Sequence, residues 1–322
     1  MPIIDAYAHV ALPRFLAVED LLRLMDREDV EAAVLSTAET CPDIQGISRA
    51  LAAHPDRFRA VGMPVGGSPA HLRDAIRVQL DCGFSGIRLP AAFVAANPDI
   101  LPLLGARGGF PLVVGERGLQ VAAGLLADFL EAAPGRLVIA GHFAGPAEPG
   151  LLDQDPQIRR LFAHPGFHVA FTRHGALGHL PLEAWARAVI ARIGWSRVLW
   201  GSEWPVALWR DETYRSTLDW VLRLDPPEGA LEAIRYGNAK RLLFGTRTPA
   251  TPLGPEWDMT AYRRPADVWL FPPSLNLSEA RHRPLMLAYE AWGGERRGRY
   301  SEFFLQMAEH GIATQKRGIF AP

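Results

Sequence analysis

Short runs of apolar residues alternate with longer stretches whose apolar residues recur every three or four positions, and this alternation persists to residue 245. The short runs read as strands: Ile3–Val10, Val30–Ser36, Phe58–Val65, Gly86–Leu89, Pro111–Gly115, Leu137–His142, Phe167–Thr172 and Val198–Trp200. The longer stretches read as helices: Val18–Arg27, Ile47–Ala53, His71–Cys82, Pro98–Ala106, Leu119–Ala133, Pro156–Phe162, Leu182–Ile193, Asp211–Leu224 and Gly229–Leu243. Eight strand-then-helix units in a row predict an α/β fold, a (β/α)8 TIM barrel. The alternative, an open doubly wound sheet, would place a glycine-rich phosphate turn after the first strand. This chain has Ala6-Tyr-Ala-His-Val10 there.

Past Gly245 the pattern changes. Thr246-Arg-Thr-Pro-Ala-Thr-Pro-Leu-Gly-Pro255 is rich in helix and strand breakers. It is followed by Trp257, Trp269, Trp292, a Phe271-Pro-Pro turn, and two predicted helices near Ser278–Trp292 and Arg297–His310. The reading is a barrel over 1–245 and a C-terminal extension over 246–322 that packs on the barrel or on a neighbouring subunit. Its exposed aromatics favour a homodimer or a higher homo-oligomer.

Composition narrows the partners. The 322 residues carry 34 basic and 35 acidic side chains, a net charge of −1, which excludes the basic excess of a nucleic-acid binder. All but two of the cations are arginine, Lys240 and Lys316 being the exceptions, and arginine is the better bidentate clamp for a carboxylate. Cys41 and Cys82 are too few for a disulfide framework or a cysteine zinc site. The N-terminus lacks the basic-then-apolar layout of a signal peptide, and no apolar run reaches membrane-spanning length. These features predict a cytoplasmic protein that binds neither membrane nor nucleic acid.

In such a barrel the chemistry sits where strands end and the following loops begin. The first strand ends at Tyr7-Ala-His9, whose alternation puts Tyr7 and His9 on one side. Arg88 ends the fourth strand, Glu116-Arg117 the fifth, His142 the sixth, Arg173-His174 the seventh, and Ser202-Glu-Trp-Pro205 the eighth. A single strand-end histidine or arginine has an ordinary structural explanation. Two histidines, a carboxylate and arginines converging on one end point instead to a site. His54, His71, His164, His168, His282 and His310 fall on helices, turns or the tail and are read as structural.

These residues also carry a resemblance. Ile4-Asp-Ala-Tyr-Ala-His9 resembles the opening Asp-x-His-x-His of the amidohydrolase superfamily. His54-Pro-Asp-Arg-Phe58, Gly83-Phe-Ser-Gly-Ile-Arg-Leu89, Ala140-Gly-His-Phe-Ala144, Val198-Leu-Trp-Gly-Ser-Glu-Trp-Pro-Val206 and Asn238-Ala-Lys-Arg-Leu-Leu-Phe244 follow in order and spacing. They are similar to the amidohydrolase-related branch that includes aminocarboxymuconate semialdehyde decarboxylase and the sugar and pyrone lactonases. The departures fall on the catalytic positions. Tyr7 replaces the first histidine of the pair, Glu203 replaces the strand-eight aspartate, and Val113-Val-Gly-Glu-Arg117 lacks the strand-five histidine of the decarboxylases. The resemblance therefore implies the lactonase side, some of whose members work without a metal.

His9, His142 and Glu203 supply three donors for a divalent ion such as zinc or manganese, the number such a site requires. A neutral phenol at position 7 is a poor fourth donor, and Glu203 carries its carboxylate one methylene further than aspartate does. The expectation is a site without cofactor. Glu203 would act as general base on water, and His142, His9 and Tyr7 would polarise a lactone carbonyl. Arg88 and Arg173 would clamp the carboxylate of a small anionic substrate, with His174, Arg117 and Trp204 completing the binding set. Two alternatives stay open: a metal-dependent decarboxylase or hydratase of an aromatic-derived acid, and a catalytically degenerate barrel with a binding role.

Overall fold

A computed structural model describes residues 2–11, 15, 17–38, 42–66, 68–114, 118–177, 180–204, 213–245 and 249–259. Eight parallel strands follow one another around the sheet: β1 (Ile3–Ala8), β2 (Val30–Ser36), β3 (Phe58–Gly62), β4 (Gly86–Pro90), β5 (Phe110–Val114), β6 (Val138–Ala140), β7 (Phe167–Phe171) and β8 (Val198–Trp200). Helices intervene between strands, among them α1 (Val18–Arg27), α2 (Ile44–Ala53), α3 (Pro69–Asp81), α4 (Ala91–Ala96), α5 (Ile100–Gly105), α6 (Ala123–Glu131), α7 (Leu151–Gln154), α8 (Pro156–Ala163) and α9 (Leu182–Ile193). After β8 come α10 (Tyr214–Asp219), α11 (Ala230–Glu232) and α12 (Asn238–Leu243). The fold is the (β/α)8 barrel that the alternation predicts. It departs from that reading in detail, since Ala91–Ala96 adds a helix after β4 and His142 lies beyond the end of β6.

Local chemistry explains several helix starts. Asp43 accepts from the Gly46 amide ahead of α2, and Ser68 accepts from the His71 amide with Pro69 in the first turn of α3. Asp155 does the same for Gln157 and Ile158 with Pro156 behind it. Each helix then turns an apolar stripe to the strands; in α1 the stripe is Leu21, Leu24 and Met25.

Two apolar layers result. Ile4, Ala6, Ala32, Val34, Val61, Leu112, Val114, Ile139, Ala170 and Leu199 fill the barrel, and Ala239 and Leu243 of α12 join this interior cluster. Alternate strand residues such as Ala33, Leu35, Val113, Val169 and Trp200 face the helices. The β1–β2 ladder breaks this alternation once. Asp5 pairs with Ala33 and Ala8 with Leu35, so three steps on β1 match two on β2. This bulge moves Tyr7 into the interior cluster after Ala6, while Ala8 and Val10 join the outer one.

The barrel closes by little backbone pairing. Ala8 and Trp204 form an isolated parallel bridge, Glu203 N–H donates to the Tyr7 carbonyl at 2.8 Å, and His9 N–H donates to the Trp204 carbonyl at 2.6 Å. Beyond the barrel, residues 249–259 lie along its outside: Gln45 Nε2 donates to the Gly254 carbonyl, the Leu253 amide to Ser48 Oγ, and the Thr251 amide to the Cys82 carbonyl. The two predicted tail helices fall outside the described residues. Among the described residues no helix is long and apolar enough to cross a membrane.

Candidate active site

Six of the side chains singled out from the sequence meet at the C-terminal end of the barrel. Tyr7 is fully buried, and its ring lies edge-on to the imidazoles of His9 and His142, with centroids 5.2 and 5.3 Å away. Arg88 Nε reaches from β4 to donate to the Tyr7 hydroxyl oxygen at 2.8 Å. That oxygen accepts from a cation, so its own proton is directed elsewhere.

His9 Nδ1 lies 2.7 Å from the Ser36 carbonyl oxygen, and its ring stacks on Phe15 at 4.8 Å. A carbonyl only accepts, so Nδ1 carries a proton in this bond. His142 is oriented by Thr172, whose Oγ1 accepts from the His142 amide at 2.9 Å and lies 2.7 Å from its Nδ1. If the threonine proton points to Nδ1, the imidazole proton is on Nε2; this assignment follows from the network of bonds.

Burial pushes the His142 pKa down to about 3, so its imidazole is neutral at pH 7. Glu203 opposes that shift, while Arg173, Arg88 and His9 reinforce it, so all four act on this one ring. Glu203 is itself buried, with Arg173 Nε 4.0 Å from its Oε1.

Backbone strain gathers at the same end. His142, Phe143 and Ala144 follow β6 with φ of 53°, 56° and 63°, Arg173 follows β7 at 67°, and Glu203 follows β8 at 58°. Left-handed backbone is unfavourable for side chains of this kind and persists only where surrounding contacts fix it. Here the Phe143 carbonyl accepts from Trp185 Nε1 at 2.7 Å, and the Phe143 ring stacks on Phe171 at 4.3 Å.

Two side chains of the predicted binding set pack against aromatic rings. The Trp204 ring is buried and stacks on Tyr214 of α10 at 4.6 Å, so it packs in the core between strand and helix. His174 packs edge-on to Phe143 at 5.0 Å and beside Trp220 at 5.3 Å, within an aromatic cluster. Arg117 and Glu116 lie outside the described residues. Sequence reading gave no role to the groups that hold the site in place: Ser36, Thr172, Phe15, Ser202 and Asp5. Asp5 had a signal, because it opens the Asp-x-Tyr-x-His motif. Strict alternation, however, would have put it on the face of Tyr7 and His9, and the β1 bulge puts it on the other.

Among the described residues no group of three or more His, Cys, Asp or Glu side chains is arranged to hold a metal ion. His9, His142 and Glu203 remain the available donors.

Solved structures share this architecture at low sequence identity. A provisionally assigned 2-pyrone-4,6-dicarboxylic acid hydrolase from Acinetobacter baumannii, with citric acid bound, matches with 18% identity and a TM-score of 0.55, covering 76% of this chain and 100% of that one. An amidohydrolase from Burkholderia multivorans with bound zinc matches at 19% and 0.55, covering 75% and 99%. A dihydroxybenzoic acid decarboxylase from Polaromonas sp. JS666, with manganese and 2-nitroresorcinol bound, matches at 16% and 0.54, covering 75% and 96%. The fold thus occurs in hydrolases and decarboxylases, with zinc or manganese among their bound metals. No curated protein matches the chain. The family model for amidohydrolases matches residues 3–245, most of the chain and all eight strands, and this protein belongs to the amidohydrolase family.

Proposed function

We propose that this amidohydrolase hydrolyses a small carboxylated lactone without a bound metal. The observation that carries the reading is the cluster at the barrel mouth: the Tyr7 ring against the imidazoles of His9 and His142, Arg88 on the Tyr7 hydroxyl, and Arg173 beside the buried Glu203 carboxylate.

Glu203 takes a proton from water, which attacks the lactone carbonyl carbon. Negative charge then grows on the carbonyl oxygen, where Tyr7 O–H and His142 Nε2–H donate to it. The carbon–oxygen bond of the ring breaks as the tetrahedral centre collapses. The leaving oxygen takes the proton held by Glu203, giving a hydroxy acid. His9, whose Nδ1 is committed to the Ser36 carbonyl, orients the attacking water. Arg173 and the remaining N–H groups of Arg88 hold the substrate carboxylate in charge-assisted bonds.

The donor set fits a divalent ion poorly. A phenol occupies the position next to both imidazoles, and its oxygen is held by the Arg88 guanidinium at 2.8 Å. A second cation at that oxygen would face the first one.

A panel of carboxylated and uncharged lactones, followed by titration of released acid, identifies the substrate. With it, Glu203→Gln lowers kcat by about 100-fold or more. Full activity of Glu203→Gln overturns the assignment of the base. Stoichiometric zinc or manganese, with activity lost on chelation, overturns the metal-free part.

A further inference from the structure

We infer that Asp5 is a positioning residue for Glu203, acting through Ser202 as a clasp across the seam between β8 and β1. The inference rests on Glu203 as the catalytic base.

Asp5 is fully buried on the side of β1 away from the barrel interior. Its Oδ1 accepts from the Tyr7 amide at 3.0 Å and from the Ser202 amide at 2.9 Å. Its Oδ2 accepts from the Ser202 hydroxyl. One carboxylate thus spans the two strands whose backbone pairing is nearly spent. Ser202 Oγ in turn accepts from the Trp204 amide at 2.9 Å.

The effect is clearest along β8 and its extension. The Gly201 amide donates to the Phe171 carbonyl at 3.1 Å, Ser202 to Asp5, Glu203 to the Tyr7 carbonyl, and Trp204 to Ser202 Oγ. Four consecutive amides are held by four different acceptors: the first bond ends the β7–β8 ladder, and the next three lie beyond it. Asp5 supplies one acceptor directly and orients the hydroxyl that supplies another. Glu203, at φ 58°, sits between the two residues the clasp holds. An unfavourable backbone needs its neighbours fixed, and Asp5 fixes them. The same carboxylate holds the Tyr7 amide, so the base and the Tyr7 phenol are set relative to each other by one buried group.

The clasp reaches Glu203 only through the backbone, which defines its test. Hydrogen exchange is followed on the peptide spanning residues 199–204, alongside kcat, KM and unfolding midpoint for Asp5→Ala, Ser202→Ala and Asp5→Asn. Asp5→Asn keeps an acceptor at Oδ1 and reverses the second bond, its Nδ2–H donating to Ser202 Oγ, so it serves as the conservative rescue.

Ser202→Ala is expected to lower exchange protection across 202–204 by at least about tenfold while distant strands stay protected. It also lowers kcat by about tenfold at unchanged KM, and Asp5→Ala, where it folds, lowers kcat by about 100-fold, as a misplaced catalytic group does. Asp5→Asn stays within about threefold of the parent by the same geometric reasoning. Unchanged protection in Ser202→Ala overturns the clasp. A kcat per folded molecule that is unchanged, or that falls only with stability, overturns the positioning role. If Glu203→Gln is fully active while Ser202→Ala loses protection, the clasp stands and the reading of Glu203 as base fails.

Discussion

β4 and β5 pair through five residues in unbroken parallel register, from Gly86 with Phe110 to Pro90 with Val114. At the opposite side of the same barrel, β8 meets β1 through a single bridge, two backbone bonds and the Asp5 carboxylate. The first seam is complete in backbone hydrogen bonds and needs no help from side chains. The second leaves its strand ends able to turn left-handed, and the seam delivers Tyr7, His9 and Glu203 to the mouth. A regular ladder fixes its side chains by alternation alone. A broken one aims them individually, and each aim then needs its own support.

The contrast can be broken at Gly201. A Cβ there would lie 2.6 Å from Tyr7 Cβ, 2.7 Å from Thr172 Cγ2 and 3.0 Å from the Tyr7 amide nitrogen, none of which is the end of a flexible side chain. Gly201→Ala must push β8 away from β1, with an expected loss above about 3 kcal/mol in urea unfolding and a fall in kcat beyond the loss of folded protein. Val113→Ala in the regular seam is the control. It removes buried methyl groups at about 2 kcal/mol and leaves kcat per folded molecule near that of the parent. Equal kcat losses in the two variants would mean that the seams do not differ in function.

That difference also decides what the sequence could disclose. Periodicity locates β2 as Val30–Ser36 and α1 as Val18–Arg27, because their apolar patterns are those of ordinary elements. Tyr7, His9, Arg88, His142, Arg173 and Glu203 were legible as polar residues where apolar runs stop. Their supports were not. Thr172 reads as one more β-branched strand residue, and Ser36 contributes only a carbonyl, which any residue has. Nor was the packing of Trp204 and His174 against aromatic rings. Left-handed residues at Arg173 and Glu203 reset the direction of the residues after them, and nothing in a one-dimensional pattern marks that reset.

The seam should also show itself in pH dependence. Burial raises the Asp5 pKa from 3.8 to about 6, although bonds from Ser202 and the Tyr7 amide oppose the shift. The folded chain therefore binds this proton more tightly than the unfolded chain. Its contribution to stability is complete below pH 3.8 and is lost as pH rises through 6, amounting to at most about 3 kcal/mol. His142, lowered from 6.5 to about 3, works oppositely: its contribution is complete above 6.5 and is lost as pH falls towards 3. His168, lowered to about 4 by burial, acts in the same sense as His142. Asp5→Asn removes one of these opposing trends, so its stability rises more steeply between pH 4 and 6 than the parent's does. Parallel unfolding curves across that window would show that Asp5 does not titrate there.

The smallest effect tests one aim within the broken seam's neighbourhood. Thr172→Val preserves shape and deletes the oxygen that receives the His142 amide and meets its Nδ1. The ring loses the partner that fixes its orientation and its Nε2 proton, yet its position in the barrel survives. Catalysis should fall by about tenfold, equivalent to about 1.4 kcal/mol of barrel-mouth organisation, with KM little changed. Thr172→Ser keeps the hydroxyl and restores most of the rate. If serine and valine at this position behave alike, the hydroxyl does not orient His142, and the threonine matters only as packing between β7 and β8.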